Sequence, residues 1–397
     1  MAIQPDNRKT FIEFFAGIGL VHAALRQEGW ACIYANDISE EKRQMYEHYF
    51  GESSYYDVND VWETDTVVSR ITARPVLATA SFPCTDLSLA GNRLGLKGEQ
   101  SGSFYGFTKV LRALAKKKFL PDALLIENVM GFLSANKGED FRSACKALSG
   151  LGYYLDVFTL DAKYFTPQSR ARLFILGLQK EALPQTVIMR RKDEALLGTA
   201  DREADSSPTL RPAKLIAATC RIELKTGWII IPVNPPPQRS NTFRDIAEVG
   251  DDLDWWDDAK VEKHLAEMSQ SHRQTIKQLI LGTTETAGTI YRRVRPGGSR
   301  SEIRVDGLAG CLRTPRGGSS KQIVFLAGNG RLRMRWMTAR EYARLQGADD
   351  FPIRVPRNQA LFGFGDAVCV PAIRWIATQF LSHLPNKPTN QQTSLAA

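Results

Sequence analysis

Apolar and polar positions alternate regularly over the first 178 residues of the chain. Apolar runs typical of buried strands occur at TFIEFF, ACIYAN, PVLATASF, ALLIEN, YYLDVFTL and RLFILGL. The segments between them carry apolar residues at helical spacing, for example Phe104, Phe107 and Leu111. Strands that alternate with helices are typical of an α/β sheet. We therefore expect a mixed, mostly parallel sheet in this part of the chain.

The regular alternation ends near Lys180. The stretches NPPPQ and DDLDWWDD show neither helical nor strand periodicity, which predicts a smaller, irregular or β-rich domain. Further on, TARE at Thr338–Glu341 is typical of a capping box that opens a helix, and a last helix is expected from about Pro371. We expect these two helices to return to the first domain. The predicted divisions are 1–179, 180–335 and 336–397.

The composition is that of an ordinary globular protein, with 43% hydrophobic and 24% charged residues in a chain of 397. Six cysteines occur without a CxxC pair, which favours neither a zinc site nor a disulfide framework and fits a reducing compartment. The N-terminus lacks an apolar signal region, and no window approaches the apolar length of a membrane span. We expect a cytosolic protein without a bound metal.

The net charge of +9 favours a polyanionic partner, and much of the excess falls in one stretch. Between residues 292 and 335 only Glu302 and Asp306 oppose the cations, which are Arg292, Arg293, Arg295, Arg300, Arg304, Arg313, Arg316, Lys321, Arg331, Arg333 and Arg335. A solvated surface is the alternative interpretation. The glycines in RPGGSR and RTPRGGSSK would also let backbone amides approach phosphates. This combination favours a nucleic acid.

The first predicted strand ends in a glycine turn. Gly17 and Gly19 in FAGIGLVH permit a tight turn and close approach of a ligand to the backbone. The dinucleotide fingerprint needs a third glycine where His22 stands, so a cofactor with a pyrophosphate is disfavoured. Asp37 ends the next strand, where a carboxylate can accept hydrogen bonds from ribose hydroxyls, and Asp57 follows the run after that. Each acid taken alone is more often a turn or helix-capping residue.

A thiol follows the fourth apolar run. Cys84 comes directly after Pro83, in a glycine-rich loop that could move over a bound substrate. An inert buried cysteine is the usual alternative, but a Pro-Cys corner projects the thiol out of the sheet. A helix beginning near Ser103 and the basic surroundings could lower the pKa of the thiol and supply a thiolate.

Two further polar groups follow later strands. Glu127 and Asn128 end the strand in IENVMGF, where a carboxylate is costly to desolvate without a task or a partner. In TPQSRARLFIL, Gln168 precedes Arg170 and Arg172, which share a strand face. The carboxyl ends of parallel strands form the edge where α/β sheets bind ligands, so we expect one site there, with contributions from Gly17, Asp37, Asp57, Cys84 and Glu127.

These residues give the chain a resemblance to the cytosine-C5 DNA methyltransferases. The motifs that carry it are, in order, FAGIG, ND, YDV, FPC, ENV, QSRAR, RTPRGG and FGDAVCVP, and they extend along nearly the whole chain. The resemblance implies a Rossmann-like catalytic domain, a target-recognition domain that falls at about residues 180–308, and S-adenosylmethionine as the methyl donor.

The resemblance also implies roles for the catalytic motifs. Cys84 would attack C6 of a cytosine flipped out of the duplex, which makes C5 nucleophilic. Glu127, with Asn128 beside it, would hold and protonate N3 of the ring, and Arg172 would contact the base carbonyl. Arg170, in the same motif as Gln168, would support the loop. By the same likeness the cofactor-binding residues are Phe15, Gly17, Gly19, Asp37, Ile38, Asp57, Val58, Pro83, Asp366 and Val368.

Four positions depart from the family pattern. Thr85 stands where glutamine commonly follows the catalytic cysteine, and Ser101 replaces a frequent arginine. Leu20 replaces a frequent glycine, and Asp366 replaces an asparagine, which brings a charge to the cofactor site. Cys84, Glu127 and Arg172 themselves are present, so we expect activity.

The expected partner is double-stranded DNA, bound by a monomer in the cytoplasm, with a cognate restriction endonuclease as a further hypothesis. Three alternatives stay open from the sequence. Some relatives modify tRNA, and an inactive relative could act as a DNA-binding regulator, although such a protein would be expected to lose the thiol or the carboxylate. A nicotinamide oxidoreductase is disfavoured by His22 and leaves the Pro-Cys and QxRxR motifs unexplained.

Overall fold

A computed structural model describes residues 8–52, 55–83, 102–189, 209–295, 298–314 and 320–386. Cys84, Thr85 and Ser101 lie outside the described residues, as do the loop that Cys84 opens and the middle of the basic RTPRGGSSK segment. What the sequence predicts for these positions therefore stays a prediction.

The described part of the chain contains a seven-stranded sheet with the order β3-β2-β1-β4-β5-β7-β6. Its strands are β1 Lys9–Phe14, β2 Trp30–Asp37, β3 Tyr56–Val58, β4 Leu77–Ala80, β5 Ala123–Val129, β6 Tyr154–Asp161 and β7 Ala171–Leu178. Strands β1 to β5 run parallel to one another, and β7 runs antiparallel to both β5 and β6. The prediction of a mixed, mostly parallel sheet is confirmed.

Helices cover both faces of this sheet. They are α1 Leu20–Gln27, α2 Glu40–Phe50, α3 Thr64–Arg70, α4 Ser103–Lys116 and α5 Glu139–Gly150. The apolar face of α4 is fully buried, as its spacing predicts, with Phe104, Phe107 and Leu111 all inaccessible to solvent. Burying such side chains contributes about 2 kcal/mol each. This packing fixes the helices on the faces of the sheet. Polar side chains lie at or near the carboxyl ends of several strands.

A second, antiparallel sheet has the order β11-β10-β12-β13. Its strands are β10 Thr286–Arg295, β11 Gly298–Arg304, β12 Ile323–Gly328 and β13 Arg331–Trp336, and a two-stranded ribbon comprises β8 Ile188–Met189 and β9 Ile229–Ile230. The predicted β-rich region is therefore present. The same region also contains helices that its weak apolar periodicity did not predict, namely α6 Ala213–Thr219, α7 Phe243–Ile246, α8 Asp258–Ala266 and α9 Gln270–Leu281. Asp257 and Ser269 cap α8 and α9.

Residues 209–233 pack against the first sheet, although they fall in the predicted second domain. Arg211 forms a buried ion pair with Asp156 of β6, with 2.7 Å between Nη2 and Oδ2. The backbone amide of Thr159 donates to the carbonyl of Leu210. These contacts cover the edge strand of the large sheet. The division at residue 180 stays a prediction.

Three helices follow β13: α10 Ala339–Leu345, α11 Arg357–Asp366 and α12 Val370–Phe380. The side chains of Thr338 and Glu341 form the capping box at the start of α10, as the TARE pattern predicts. The ring of Phe380 stacks on Phe158 of β6 at 4.2 Å between centroids. Helix α12 also packs against α1, so these helices complete the core around the large sheet.

One segment, Arg357–Phe380, is long and apolar enough to span a bilayer, which corrects the prediction that no window approaches that length. It comprises α11 and α12, which are separated at Ala367. Two thirds of its apolar window is buried inside the protein. Core helices of globular proteins share this composition, so the segment is weak evidence for a membrane span.

Candidate active site

The glycine turn after β1 has the backbone conformation that the sequence predicts. Gly17 and Gly19 have φ angles of 57° and 80°, and Phe15 before them has a φ of 56°. Non-glycine residues rarely adopt this region. A Cβ atom at Gly19 would also lie 2.5 Å from the ring of Tyr46. The turn therefore requires glycine at this position for two independent reasons.

Asp37 holds this turn from the end of β2. Its carboxylate accepts the backbone N–H of Gly17 at 2.9 Å and that of Ser39 at 3.0 Å. The hydroxyl of Tyr56 donates to the carbonyl of Gly17 at 2.9 Å. Next to Asp37, the side chain of Ile38 is 70% exposed. A carboxylate, an open glycine turn and an uncovered apolar side chain thus lie together at the predicted edge of the sheet.

Lys42 links two of the predicted cofactor residues. Its Nζ lies 3.2 Å from Oδ2 of Asp366 and 4.0 Å from Oδ2 of Asp37. The charge that Asp366 brings in place of the usual asparagine is therefore paired with a cation. Lys42 is not among the site residues predicted from the sequence, because a lysine in the first turn of a helix is ordinary and Asp366 is distant in the chain.

The other predicted cofactor residues surround the same edge. Asp57 has one carboxylate oxygen 3.4 Å from the hydroxyl of Tyr34 and the other 3.8 Å from Nε of Arg70. Val58 follows it at the end of β3, Pro83 is exposed just beyond β4, and Val368 is buried after α11. They reach this edge from three parts of the fold: β3, the chain after β4 and the chain after α11.

Glu127 and Arg172 form an ion pair between two adjacent strands. In the register of β5 and β7, Arg172 lies opposite Val129, so Glu127 and Arg172 are diagonal neighbours on one face. Nε of Arg172 lies 2.9 Å from Oε1 of Glu127, and both side chains are largely buried. The sheet thus brings together the carboxylate and one guanidinium that the sequence analysis selected.

Arg170 has different surroundings although it is only two residues away. Its guanidinium is buried and donates to the backbone carbonyls of Leu312 at 2.9 Å and Ala367 at 2.7 Å. Gln168 is fully buried as well, and it bonds the carbonyl of Leu345 and the amide of Leu312. These contacts join the QSRAR segment to the chain near Leu312 and to the C-terminal helices.

Asn128 secures the end of β4. Its buried side-chain amide donates to the carbonyl of Phe82 at 3.1 Å, and its Oδ1 accepts the amide of Val129. Pro83 follows directly, and Cys84 is the next residue in the chain. The end of the strand that carries the predicted nucleophile is therefore attached to the strand that carries Glu127.

A small cavity opens beside the ion pair. It is lined by Glu127, Arg170 and Arg172, together with apolar side chains that include Phe174 and Val368. Apolar walls with a few convergent polar groups are typical of small-molecule sites. The polar groups at this cavity are a carboxylate, which can accept a hydrogen bond, and two guanidiniums, which can donate.

The basic stretch of residues 292–335 is paired more than its sequence suggested. Arg335 forms a bidentate, buried ion pair with Glu341, at 2.6 and 2.8 Å. Arg333 pairs with Asp251 at 2.7 Å, and Arg292 lies over the ring of Trp336. Asp251 and Glu341 lie outside the stretch, so a count of the charges within it overstates how many of its cations are unpaired in the fold.

His22 is a core residue behind the glycine turn. Its Nδ1 lies 2.6 Å from the hydroxyl of Tyr46, and its ring stacks on Phe50 at 4.1 Å. Burial, with a smaller contribution from the charge of Arg26, lowers the pKa of His22 to about 3. The residue that stands at the third glycine position therefore serves packing.

The family model for C-5 cytosine-specific DNA methylases matches residues 9–382. The chain belongs to this family and is a DNA (cytosine-5-)-methyltransferase. It is similar to two type II methyltransferases over nearly their whole length. It is 27% identical to M.HpaII of Haemophilus parainfluenzae over 382 residues, covering 95% of this chain and 90% of the relative. It is 26% identical to M.NgoBI of Neisseria gonorrhoeae over 373 residues, covering 91% and 90%.

Solved structures support the fold. A methyltransferase of Entamoeba histolytica, EhMeth, superposes with a TM-score of 0.57 at 14% identity, over 95% of this chain and 98% of that chain. The Dnmt2 methyltransferase of S. pombe gives 0.52 at 18% identity, over 94% and 98%. At these identities the likeness establishes the methyltransferase fold alone.

Proposed function

We propose that this enzyme transfers the methyl group of S-adenosylmethionine to C5 of cytosine within one short sequence of duplex DNA. The observation that carries the proposal is the Glu127–Arg172 pair, which lies at the same sheet edge as the Asp37–Gly17 turn. A base-binding pair and a nucleoside-binding turn are what this reaction needs side by side.

The residues at the glycine turn fit the cofactor. The carboxylate of Asp37 can accept hydrogen bonds from ribose hydroxyls, and the exposed side chain of Ile38 can cover one face of an adenine. We assign Val58 to the same ring and Asp57 to its amino group, with Phe15, Pro83 and Val368 completing the walls. When bound, S-adenosylmethionine supplies an electrophilic methyl group on a sulfonium.

The protein's part in the chemistry is to make C5 nucleophilic. The thiolate of Cys84 forms a bond from Sγ to C6 of a flipped cytosine, while Glu127 donates a proton to N3 and Arg172 binds the carbonyl oxygen. The electron pair at C5 then takes the methyl group. A base removes the C5 proton, the bond from Sγ to C6 breaks to release the Cys84 thiolate, and the proton on N3 returns to Glu127. Flipping is required because a stacked base hides C6.

The remaining predicted catalytic residues act as positioning residues. Arg170 and Gln168 hold the QSRAR segment through backbone groups near Leu312, so Arg172 starts its strand in a fixed place. Asn128 fixes the end of β4 through Phe82, which positions the chain that enters the Cys84 loop. Holding the reacting groups in this way lowers the entropic part of the barrier.

We propose that the small antiparallel sheet and its flanking cations bind the DNA, and that a monomer acts in the cytoplasm. Arg292 and Lys260 lie over the ring of Trp336, an arrangement that would place cations and an aromatic surface beside a duplex. Because M.HpaII and M.NgoBI are named type II methyltransferases, we assign this enzyme to a restriction-modification pair. A neighbouring endonuclease gene would support that assignment, and a neighbourhood without any defence gene would oppose it.

The reaction is tested by incubating the enzyme and S-adenosylmethionine with unmethylated genomic DNA and mapping 5-methylcytosine by conversion sequencing. We expect one short motif to be modified, and none with Cys84→Ala. The Cys84→Ala variant should still bind DNA. Modification of RNA alone, or undiminished turnover by Cys84→Ala, would overturn the proposal.

A further inference from the structure

Cys311 lies beside both arginines of the QSRAR segment. Its Sγ is 3.6 Å from Nη1 of Arg170, and 3.8 and 3.7 Å from Nη1 and Nη2 of Arg172. The segment that carries it is fixed nearby, because Gln168 pairs with Ala309 in an isolated β-bridge. A thiol thus lies between two guanidinium groups, one of which meets Glu127.

The charges around this thiol favour an anion. Burial alone would raise the pKa of Cys311, but the guanidiniums of Arg172 and Arg170 outweigh it, with Arg313 adding to them, so the pKa lies below its ordinary value. Conversely, burial and the charge of Arg172 lower the pKa of Arg170, and Cys311 acts against that change. The carboxylates of Glu127 and Asp366 also favour the charge of Arg170, each less than Cys311 does, and the ion pair of Glu127 is with Arg172.

Two buried cations in contact repel each other at short range unless an anion lies between them. The ion pair of Glu127 is with Arg172, whereas Arg170 hydrogen-bonds neutral carbonyls, and among the anions near Arg170 it is Cys311 that favours its charge most. We propose that Cys311 is a positioning residue whose thiolate holds the two guanidiniums together and keeps Arg172 against Glu127. The effect of Cys311 on methyl transfer rests on the proposed function. The electrostatic pairing of its thiolate with the two guanidiniums does not.

The pairing is tested by alkylation, without any need for activity. The native protein is treated with iodoacetamide at a series of pH values, and each cysteine peptide is quantified by mass spectrometry. We expect Cys311 to react with a midpoint below that of a free thiol, about pH 8.5. Cys145 and Cys369 are internal controls, because burial raises the pKa of both. Arg172→Gln should move the midpoint of Cys311 upward, and an unchanged midpoint would overturn the pairing.

The positioning role is tested by kinetics. Cys311→Ser removes the charge and keeps the size, so kcat should fall about tenfold while KM for the cofactor stays unchanged. The melting temperature should fall as well, because the two guanidiniums then repel each other without an anion between them. Cys311→Asp, which restores an anion, should retain more activity than the serine variant. Cys220→Ser, at a partly buried cysteine that ends α6, is the matched control.

Undiminished kcat in Cys311→Ser would refute the positioning role, as would equal losses in the serine and aspartate variants. If the wild-type enzyme methylates no substrate, the proposed function fails, and the alkylation experiment still decides whether the thiolate pairs with the arginines. The two failures are therefore distinguishable.

Discussion

At the scale of single residues, the cofactor edge depends on one lysine that balances two carboxylates. Lys42 bridges Asp366 and Asp37, and both Lys42 and Asp366 are partly exposed. Partly exposed ion pairs contribute little each, typically below about 1 kcal/mol. The charge that Asp366 brings to the cofactor edge is therefore balanced by a cation.

This pairing predicts coupling between the two positions. Lys42→Met should lower the free energy of unfolding by about 0.5–1 kcal/mol, because Asp37 and Asp366 then face each other without a cation. Asp366→Asn should cost less in the Lys42→Met background than in the wild type, because the repulsion is already present there. Urea unfolding of the four proteins measures the cycle, and additive effects would contradict the bridge.

His22 makes a second residue-scale prediction, on pH. Its pKa is lowered by burial to about 3 in the folded protein, so the unfolded chain takes up a proton below about pH 6.5 and the folded one does not. The stability linked to His22 is therefore complete above about pH 6.5. It falls by at most about 1.4 kcal/mol per pH unit as the pH decreases toward the folded pKa.

The pH dependence linked to His22 is tested by comparing the free energy of unfolding of the wild type with that of His22→Gln. The glutamine amide can still form a hydrogen bond with Tyr46 and does not titrate. We expect the wild type to lose its stability advantage between about pH 7 and about pH 5. Urea unfolding at each pH measures the difference. Parallel pH profiles for the two proteins would show that His22 does not titrate differently on folding.

At the scale of elements, the turn between β1 and α1 sets the position of the cofactor edge. Gly19→Ala should destabilise the protein by about 1–2 kcal/mol through its positive φ, and by about 1–3 kcal/mol more through contact with Tyr46. Gly29→Ala is the matched control, since its φ of 79° is nearly the same and an added Cβ there meets no atom within 4 Å. Equal losses in the two variants would rule out the steric contribution.

The elements also show what a sequence can predict. The strands of the large sheet were predictable because most of them are apolar runs with polar residues at or near their ends, and β5 with Glu127 and Asn128 is such a case. Helices α8 and α9 were missed, because short helices with their own caps need little apolar periodicity. The contact between Glu127 and Arg172 was predictable, because the sequence places both residues at the same edge of the large sheet. Nothing local could predict Cys311 or Lys42, whose partners are far away in the chain.

At the scale of the whole molecule, one buried ion pair joins the small sheet to the C-terminal helices. Arg335 of β13 contacts Glu341 of α10 through two hydrogen bonds, and both side chains are at most 1% exposed. Glu341 also caps α10 by accepting the amide of Thr338, and it accepts the amide of Glu248. The carboxylate of Glu341 therefore fixes α10, β13 and the loop at Glu248 relative to one another.

Glu341→Gln keeps the shape and removes the charge, so Arg335 would be left as a buried cation without its anion. We expect a loss of about 3–5 kcal/mol in the free energy of unfolding, because a buried charge without a partner is costly. Asp251→Asn is the control: it removes one carboxylate partner of Arg333, two residues away on the same strand, where Asp251 is almost fully exposed and Glu285 remains as a second partner. That variant should change stability by less than about 1 kcal/mol. Urea unfolding measures both, and a small loss in Glu341→Gln would mean that the small sheet is attached to the helices by its apolar contacts instead.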